Sequence, residues 1–243
     1  MASLKWFGIA VGLAAVAPTF ADEAISSDQL TCLLEPNTTV NLASDTPGII
    51  KTMRVERGDS VEKDQVLVRL RDDAERASVA LGRARVAFGK RKAKRNSDLF
   101  AKALVSAHER DEIETEIQLA QLELAEARVR LRAREIRSTI NGVIVERHGS
   151  PGDYVGEDPI LTLMSLNPLY VEVIAPVELF GRIVKDMKAE VVPDVVGGSH
   201  SATVSIVDPI VDPASNTFRV RLELPNPDNR LPAGLKCEVR FSL

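Results

Sequence analysis

One stretch of this chain occurs twice. Residues 48–70 recur as residues 142–164 without a gap, displaced by 94 positions. Gly48, Ile50, Gly58, Asp59, Val61, Asp64 and Leu67 of the first copy become Gly142, Ile144, Gly152, Asp153, Val155, Asp158 and Leu161 of the second. Each copy reads as strand, Gly-Asp turn, strand: Ile49-Ile50 and Val66-Leu67-Val68 in one, Val143-Ile144-Val145 and Ile160-Leu161-Thr162 in the other. Glycine before Asp59 and before Asp153 suits a turn position at positive φ, which other side chains occupy at a cost; Gly48 and Gly142 are also read as turn residues. Copies this short each leave an apolar face uncovered when alone, so the two are expected to pack together as one small sandwich. The fold must therefore assemble a unit from two pieces that something else separates.

The separating stretch, from about Asp73 to Arg137, has no proline and two glycines. Apolar or small residues recur there at alternating spacings of three and four: Ala74, Ala77, Leu81, Ala84 and Phe88, then Ile113, Ile117, Ala120, Leu124, Ala127 and Leu131. This is a heptad seam in two arms. Positions 77 and 131, 81 and 127, 84 and 124, 88 and 120 all complete a constant sum of 208, as an antiparallel hairpin folded about residue 104 requires. Charge agrees: Arg83, Arg85, Lys90, Arg91, Lys92, Lys94 and Arg95 run beside an arm rich in Glu and Asp. The basic run is thus read as a solvated face paired with its neighbour, and not as a nucleic-acid site. Ser106-Ala107-His108-Glu109 is a capping box that starts the second arm without Gly or Pro. Arms of about 28 residues project roughly 40 Å at 1.5 Å per residue.

After residue 169 the pattern changes to short alternating strands at 170–175, 189–192, 202–207, 217–224 and 235–241, punctuated by Asp208-Pro209, Asp212-Pro213 and Pro225-Asn226-Pro227-Asp228. Val177 to Met187 fits one short helix. Five strands and a helix suggest a small barrel, and Leu30 to Leu34 supplies a sixth strand that brings Cys32 near the last strand and Cys237.

Composition sets the compartment and removes some partners. The first 21 residues have the layout of a cleaved secretory signal: Lys5, an apolar stretch from Trp6 to Ala17, and the small-residue site Thr19-Phe20-Ala21 before Asp22. The uncharged run of 16 residues is shorter than the roughly 20 that a spanning helix needs. In an exported chain the two cysteines, Cys32 and Cys237, form either one disulfide or two buried free thiols. A net charge of −4, from 31 Lys plus Arg against 35 Asp plus Glu, leaves no basic excess for binding nucleic acid.

With these residues in view the chain resembles the periplasmic adaptor subunits, or membrane fusion proteins, of resistance-nodulation-division (RND) tripartite efflux pumps. The carrying segments are Pro47-Gly48-Ile49-Ile50 through Gly58-Asp59-Ser60-Val61, its partner Asn141-Gly142-Val143-Ile144 through Gly152-Asp153-Tyr154-Val155, and Val207 to Phe241. The resemblance implies a mixed α and β, elongated, multi-domain fold: a split lipoyl-like β-sandwich interrupted by an antiparallel α-helical hairpin and followed by a small β-barrel. The division expected is a signal peptide at 1–21, a segment at 22–38 giving a strand to the barrel, sandwich halves at 39–72 and 138–168, the hairpin at 73–137 and the barrel at 169–243. Adaptors of this kind that dock on TolC-type outer-membrane channels carry Arg, Leu and Ser around the hairpin tip at the spacing R-x3-L-x6-S, which Arg95, Leu99 and Ser106 fit. The implied partners are an inner-membrane transporter, such a channel, and further copies of the chain in the assembled pump. A membrane-proximal domain built from both termini, present in many adaptors, is not expected here, because only 17 residues run from Asp22 to Thr38 and the last barrel strand ends at Phe241.

No catalysis and no cofactor are expected. The lysine that carries lipoate or biotin in related folds belongs where this chain has Leu70-Arg71-Asp72-Asp73. His108, His148 and His200 lie in three separate segments without metal-ligand spacing, and Met53 and Met164 read as core. Asp59 and Asp153 are turn residues and not an acid/base pair. The competing functions are an adaptor for an ABC-type or type I secretion exporter, which usually has a retained anchor and longer hairpin, and a periplasmic substrate-binding module, for which the chain has few aromatic residues.

Overall fold

The computed structural model describes residues 29–101 and 106–242; the expected signal peptide lies outside the described residues. Among the described residues, twelve strands and two long helices form three bodies, each with its own core.

The two copies of the repeat build the first body. Copy one contributes β2 (Gly48–Met53), β3 (Ser60–Val61) and β4 (Val66–Leu70); copy two contributes β6 (Gly142–Arg147), β7 (Tyr154–Val155) and the start of β8 (Leu161–Pro176). The copies exchange edges. β2 pairs with β7, setting Gly48 opposite Val155, and β3 pairs with β6, setting Val61 opposite Gly142. The turns are exchanged in the same manner: Gly58 N–H donates to the Ile144 carbonyl at 2.8 Å, and Gly152 N–H to the Ile50 carbonyl at 2.9 Å. Gly58 and Gly152 sit at φ +94° and +100°, where a Cβ is strained. The Asp59 carboxylate accepts from Glu56 N–H and the Asp153 carboxylate from Ser150 N–H, both at 2.8 Å, so each aspartate closes its own turn. Equivalence extends further back than the sequence pattern: Ser44 Oγ donates to the Thr46 carbonyl and Ser138 Oγ to the Ile140 carbonyl, each at 2.6 Å. Leu67, Val68, Leu70, Leu161 and Leu163 are fully buried between the two sheets.

Gly48 and Gly142 are not turn residues; they open strands β2 and β6. At Gly142 the requirement is close approach, since a Cβ would stand 2.4 Å from the Met164 carbonyl oxygen. At Gly48 a Cβ would stand 3.0 Å from the Arg134 guanidinium and 3.2 Å from Leu70 Cδ1.

The helices are α1 (Asp73–Ala101) and α2 (Ala107–Arg132). Helix ends at Arg132, and Glu135–Arg137, which the hairpin was expected to include, forms β5 and pairs with β4 instead. The short strand completes the order β5-β4-β2-β7 of one sandwich sheet.

The barrel is closed by six strands in the order β1-β12-β9-β10-β11-β8, with β8 returning to β1. Here β1 is Gln29–Leu42, β9 Lys188–Pro193, β10 His200–Asp212, β11 Thr217–Leu224 and β12 Lys236–Phe241. Residues 29–33 of β1 pair with β12, and residues 32–42 pair with β8, so β1 and β8 run side by side out of the barrel and into the sandwich. Cys32 stands opposite Cys237 in the β1–β12 ladder and the two are joined as a disulfide. Asn226, buried in the loop after β11, donates to the Leu166 and Leu231 carbonyls and accepts from Leu231 N–H.

The expected helix over Val177 to Met187 is a single 3-10 turn, Val177–Leu179. Gly181 and Asp186, at φ +81° and +67°, break helical continuity. The segment contributes to the barrel core, with Leu179 and Ile183 buried there at 3% and 2% exposure.

Candidate functional site

No group of three or more His, Cys, Asp or Glu able to hold a metal ion occurs among the described residues, and no described helix is long and apolar enough to cross a membrane. Met53 packs against the sandwich core. The features available for function are the hairpin's surfaces and its tip.

In α2 the residues buried or half-buried along the seam are Ile113, Ile117, Ala120, Leu124, Ala127 and Leu131, as the spacing predicts. In α1 the expected seam is displaced. Val79, Gly82, Val86 and Gly89 face α2, while Leu81 and Phe88 are 56% and 52% exposed and Ala74, Ala77 and Ala84 point outward. The physical reason is the two glycines. A Cβ at Gly82 would lie 3.2 Å from Leu124 Cα, and one at Gly89 would lie 2.9 Å from Ile117 Cγ1. Two large residues of α2 thus occupy the space that absent side chains leave on α1, a closeness a larger residue would prevent. Arg85 pairs with Glu123 at 2.7 Å and Lys92 with Glu116 at 2.9 Å, both at the expected sum of 208. These ion pairs are exposed and fix register more than they stabilise, at about 0.2–1 kcal/mol each.

At the tip, Ser106 is the N-cap of α2 and its hydroxyl accepts from Glu109 N–H at 3.2 Å. Arg95 is exposed on α1, one heptad beyond Phe88 on the same stripe, with no ion-pair partner among the described residues. The side chain of Leu99 lies outside the described residues. Helix α1 nevertheless carries residues 95 and 99 on adjacent turns, with Ser106 at the other arm's first residue.

At the root, the hairpin is clamped to the sandwich. Arg134 holds Glu75 at 2.7 Å and donates to the Pro47 carbonyl at 2.8 Å. Asp72, its side chain 5% exposed, takes Arg76 at 2.7 Å and Lys51 at 3.2 Å. The Arg76 guanidinium hydrogen-bonded to it, helped by Lys51, holds its carboxyl below the usual carboxylate range against the cost of burial. Hydrogen bonds from Lys51 to Asp73 and Asp72 raise the lysine's pKa. Neither clamp was visible in sequence, because each joins residues from different elements; only the i, i+4 spacing of Asp72 and Arg76 hinted at one.

The family model described as the CzcB-like barrel-sandwich hybrid domain matches residues 38–165, more than half the chain, and the CusB-like β-barrel domain matches residues 168–243. The chain belongs to the membrane fusion proteins, the periplasmic adaptors of efflux pumps. Among solved structures, this adaptor is similar to a MacA–MexA chimera containing the Pseudomonas aeruginosa MexA α-hairpin, at 20% identity and a TM-score of 0.72, over 88% of this chain and 79% of that one. A membrane fusion protein from Streptococcus pneumoniae, Spr0693, matches at 16% identity and a TM-score of 0.63, over 88% of this chain and 98% of that one. Both likenesses show the fold. A curated relative, a membrane protein encoded in the asrC 5′ region of Acidithiobacillus ferridurans, is 29% identical over 51% of this chain and 42% of its own length. The matched part of the adaptor thus spans less than half of that relative. Proteins of this family are structural adaptors.

Proposed function

We propose that this adaptor couples an inner-membrane transporter of the RND type to a TolC-type outer-membrane channel in a tripartite export pump. It is exported by a cleaved signal peptide, and several copies assemble around the path of the substrate. The barrel and sandwich lie on the transporter side, and the hairpin tip engages the channel through Arg95, Leu99 and Ser106. The observation that supports this reading most directly is the tip itself. Arg95 is exposed and has no ion-pair partner among the described residues, whereas Arg85 and Lys92, lower on the same arm, have carboxylates of their own. An exposed cation without a partner on the outer part of the hairpin is suited to an acceptor on another protein.

The test is Arg95→Asp in cells that carry the cognate transporter and channel. Loss of export and of channel co-purification is expected, at wild-type thermal stability of the isolated chain. Wild-type export by this variant would remove the tip assignment.

A further inference from the structure

The chain passes between barrel and sandwich twice, in β1 and in β8. These two strands form one antiparallel ladder, and the ladder is broken where they leave the barrel. Pro36 stands opposite Leu169, but the next pair is Thr38 with Ser165. Asn37 of β1 therefore faces residues 166–168 of β8, a short link outside the ladder between the two bodies. Pro36 and Pro168 flank the break and have no N–H to give to a ladder. An irregularity of this kind bends the strands that contain it, so β1 and β8 alone do not fix the angle at which the sandwich stands on the barrel.

One loop spans the break. Residues 225–235 run along the barrel rim from the end of β11, where Leu224 is opposite Leu169, to the start of β12, where Lys236 is opposite Leu33. The loop therefore reaches both crossing strands. On β1, Gly234 N–H donates to the Leu34 carbonyl at 2.7 Å, and Leu34 N–H donates to the Leu235 carbonyl at 2.8 Å. On β8, Asn226 Nδ2 donates to the Leu166 carbonyl and Asn226 N–H donates to Asn167 Oδ1, both at 3.0 Å. The remaining Nδ2 proton goes to the Leu231 carbonyl at 2.9 Å, and Asn226 Oδ1 accepts from Leu231 N–H at 3.1 Å. Leu231 is itself sunk in the barrel core. Asn226 thus ties the link to a residue anchored in the barrel. Its neighbours Pro225 and Pro227 restrict its backbone, and at 4% exposure its amide is out of reach of water that would compete for these bonds.

We propose that Asn226 is a positioning residue: it holds residues 166–168 against the barrel rim and so sets the angle between barrel and sandwich, and with it the direction in which the hairpin leaves the barrel. The use of that angle rests on the adaptor reading, in which the barrel and the hairpin tip meet different partners and one chain must reach both. A turn of about 10° at the junction carries the end of a hairpin roughly 40 Å long sideways by about 7 Å. That exceeds the roughly 4 Å over which side chains touch.

The experiment uses full chains labelled, with the disulfide intact, by a donor and an acceptor dye on Gln118→Cys in α2 and Ala214→Cys in the turn after β10, both exposed positions. Single-molecule energy transfer is read on the isolated chain, beside its thermal unfolding midpoint and its export in cells with the cognate transporter and channel. Asn167→Ala removes a bond from Asn226 to the link and none of those that close the loop on Leu231. It is expected to broaden the transfer distribution about twofold, as a hinge freed of its latch does, and to lower export at the parent's unfolding midpoint. Asn167→Asp keeps an oxygen for Asn226 N–H and should return both to the parent's values. Asn226→Ala should broaden the distribution at least as much as Asn167→Ala; if it does not fold, the two Asn167 variants decide alone. A parent-like distribution in Asn167→Ala, or equal broadening in Asn167→Asp, overturns the latch and leaves the adaptor reading standing. Broadening with export at the parent's level overturns the positioning role. Broadening in a chain whose parent supports no export upholds the latch and removes the adaptor reading.

Discussion

Gly142 leaves no room for a methyl group, because the Met164 carbonyl oxygen occupies the place where a Cβ would go. Gly142→Ala must push β6 away from β8, and we expect a loss of about 1–3 kcal/mol, read as a lower midpoint in denaturant unfolding. Asp72 gives a prediction with a pH signature. Its folded pKa lies below the ordinary value, first through its hydrogen bond from Arg76. A depressed folded pKa adds stability above the unfolded value of about 4 and loses it as pH falls through the folded one. Asp72→Asn should therefore be less stable than the parent at pH 7, and the gap should narrow steadily as pH drops below about 4. A gap that stays constant with pH would show that the carboxylate's charge is not what matters. At this scale, sequence was legible wherever a residue's need is local. Gly58 and Gly152 need positive φ, and an Asp after each announces the turn. Gly48 and Gly142 need space that a different part of the chain would otherwise occupy, and nothing next to them in sequence carries that information.

The elements were legible to the extent that apolar periodicity reports burial. It placed the α2 seam correctly and the α1 seam out of phase, since glycine scores as a helix breaker although here Gly82 and Gly89 are where the two arms touch. A consequence follows for unfolding of the isolated chain. Leu81→Ser or Phe88→Ser should change stability by less than about 0.5 kcal/mol, whereas Leu124→Ala should cost about 2–5 kcal/mol. Hydrogen exchange of the α1 and α2 amides would resolve the difference even where the hairpin opens separately from the sandwich. A large loss in Phe88→Ser would mean that its exposed ring is structural after all. The 177–187 segment failed for a related reason. Its apolar residues recur at a helical spacing, yet Leu179 and Ile183 reach the barrel core from a single 3-10 turn and the loop that follows it.

For the whole molecule, the repeat, the hairpin between its copies and the strand-rich end were all readable in order, while the sharing of strands between bodies was not. β1 and β8 each belong to the barrel and to the sandwich, and a pattern read segment by segment assigns a strand to one or the other. The disulfide ties the ends of this arrangement across 205 residues. Replacing both Cys32 and Cys237 by Ser should cost about 2–5 kcal/mol, measured as a shift in thermal unfolding that reductant reproduces in the parent chain. The strand order also has a consequence in time. Among the described strands β1 is made first, yet its barrel partners are β8 and β12, the latter ending at Phe241. The sandwich and hairpin have all their strands and helices once β8 has emerged, but the barrel cannot close before the chain's last strand arrives. Such long-range pairing makes closure slow, and until then β1 stands with one edge unpaired, the interval in which the folding chain is most open to wrong strand pairing.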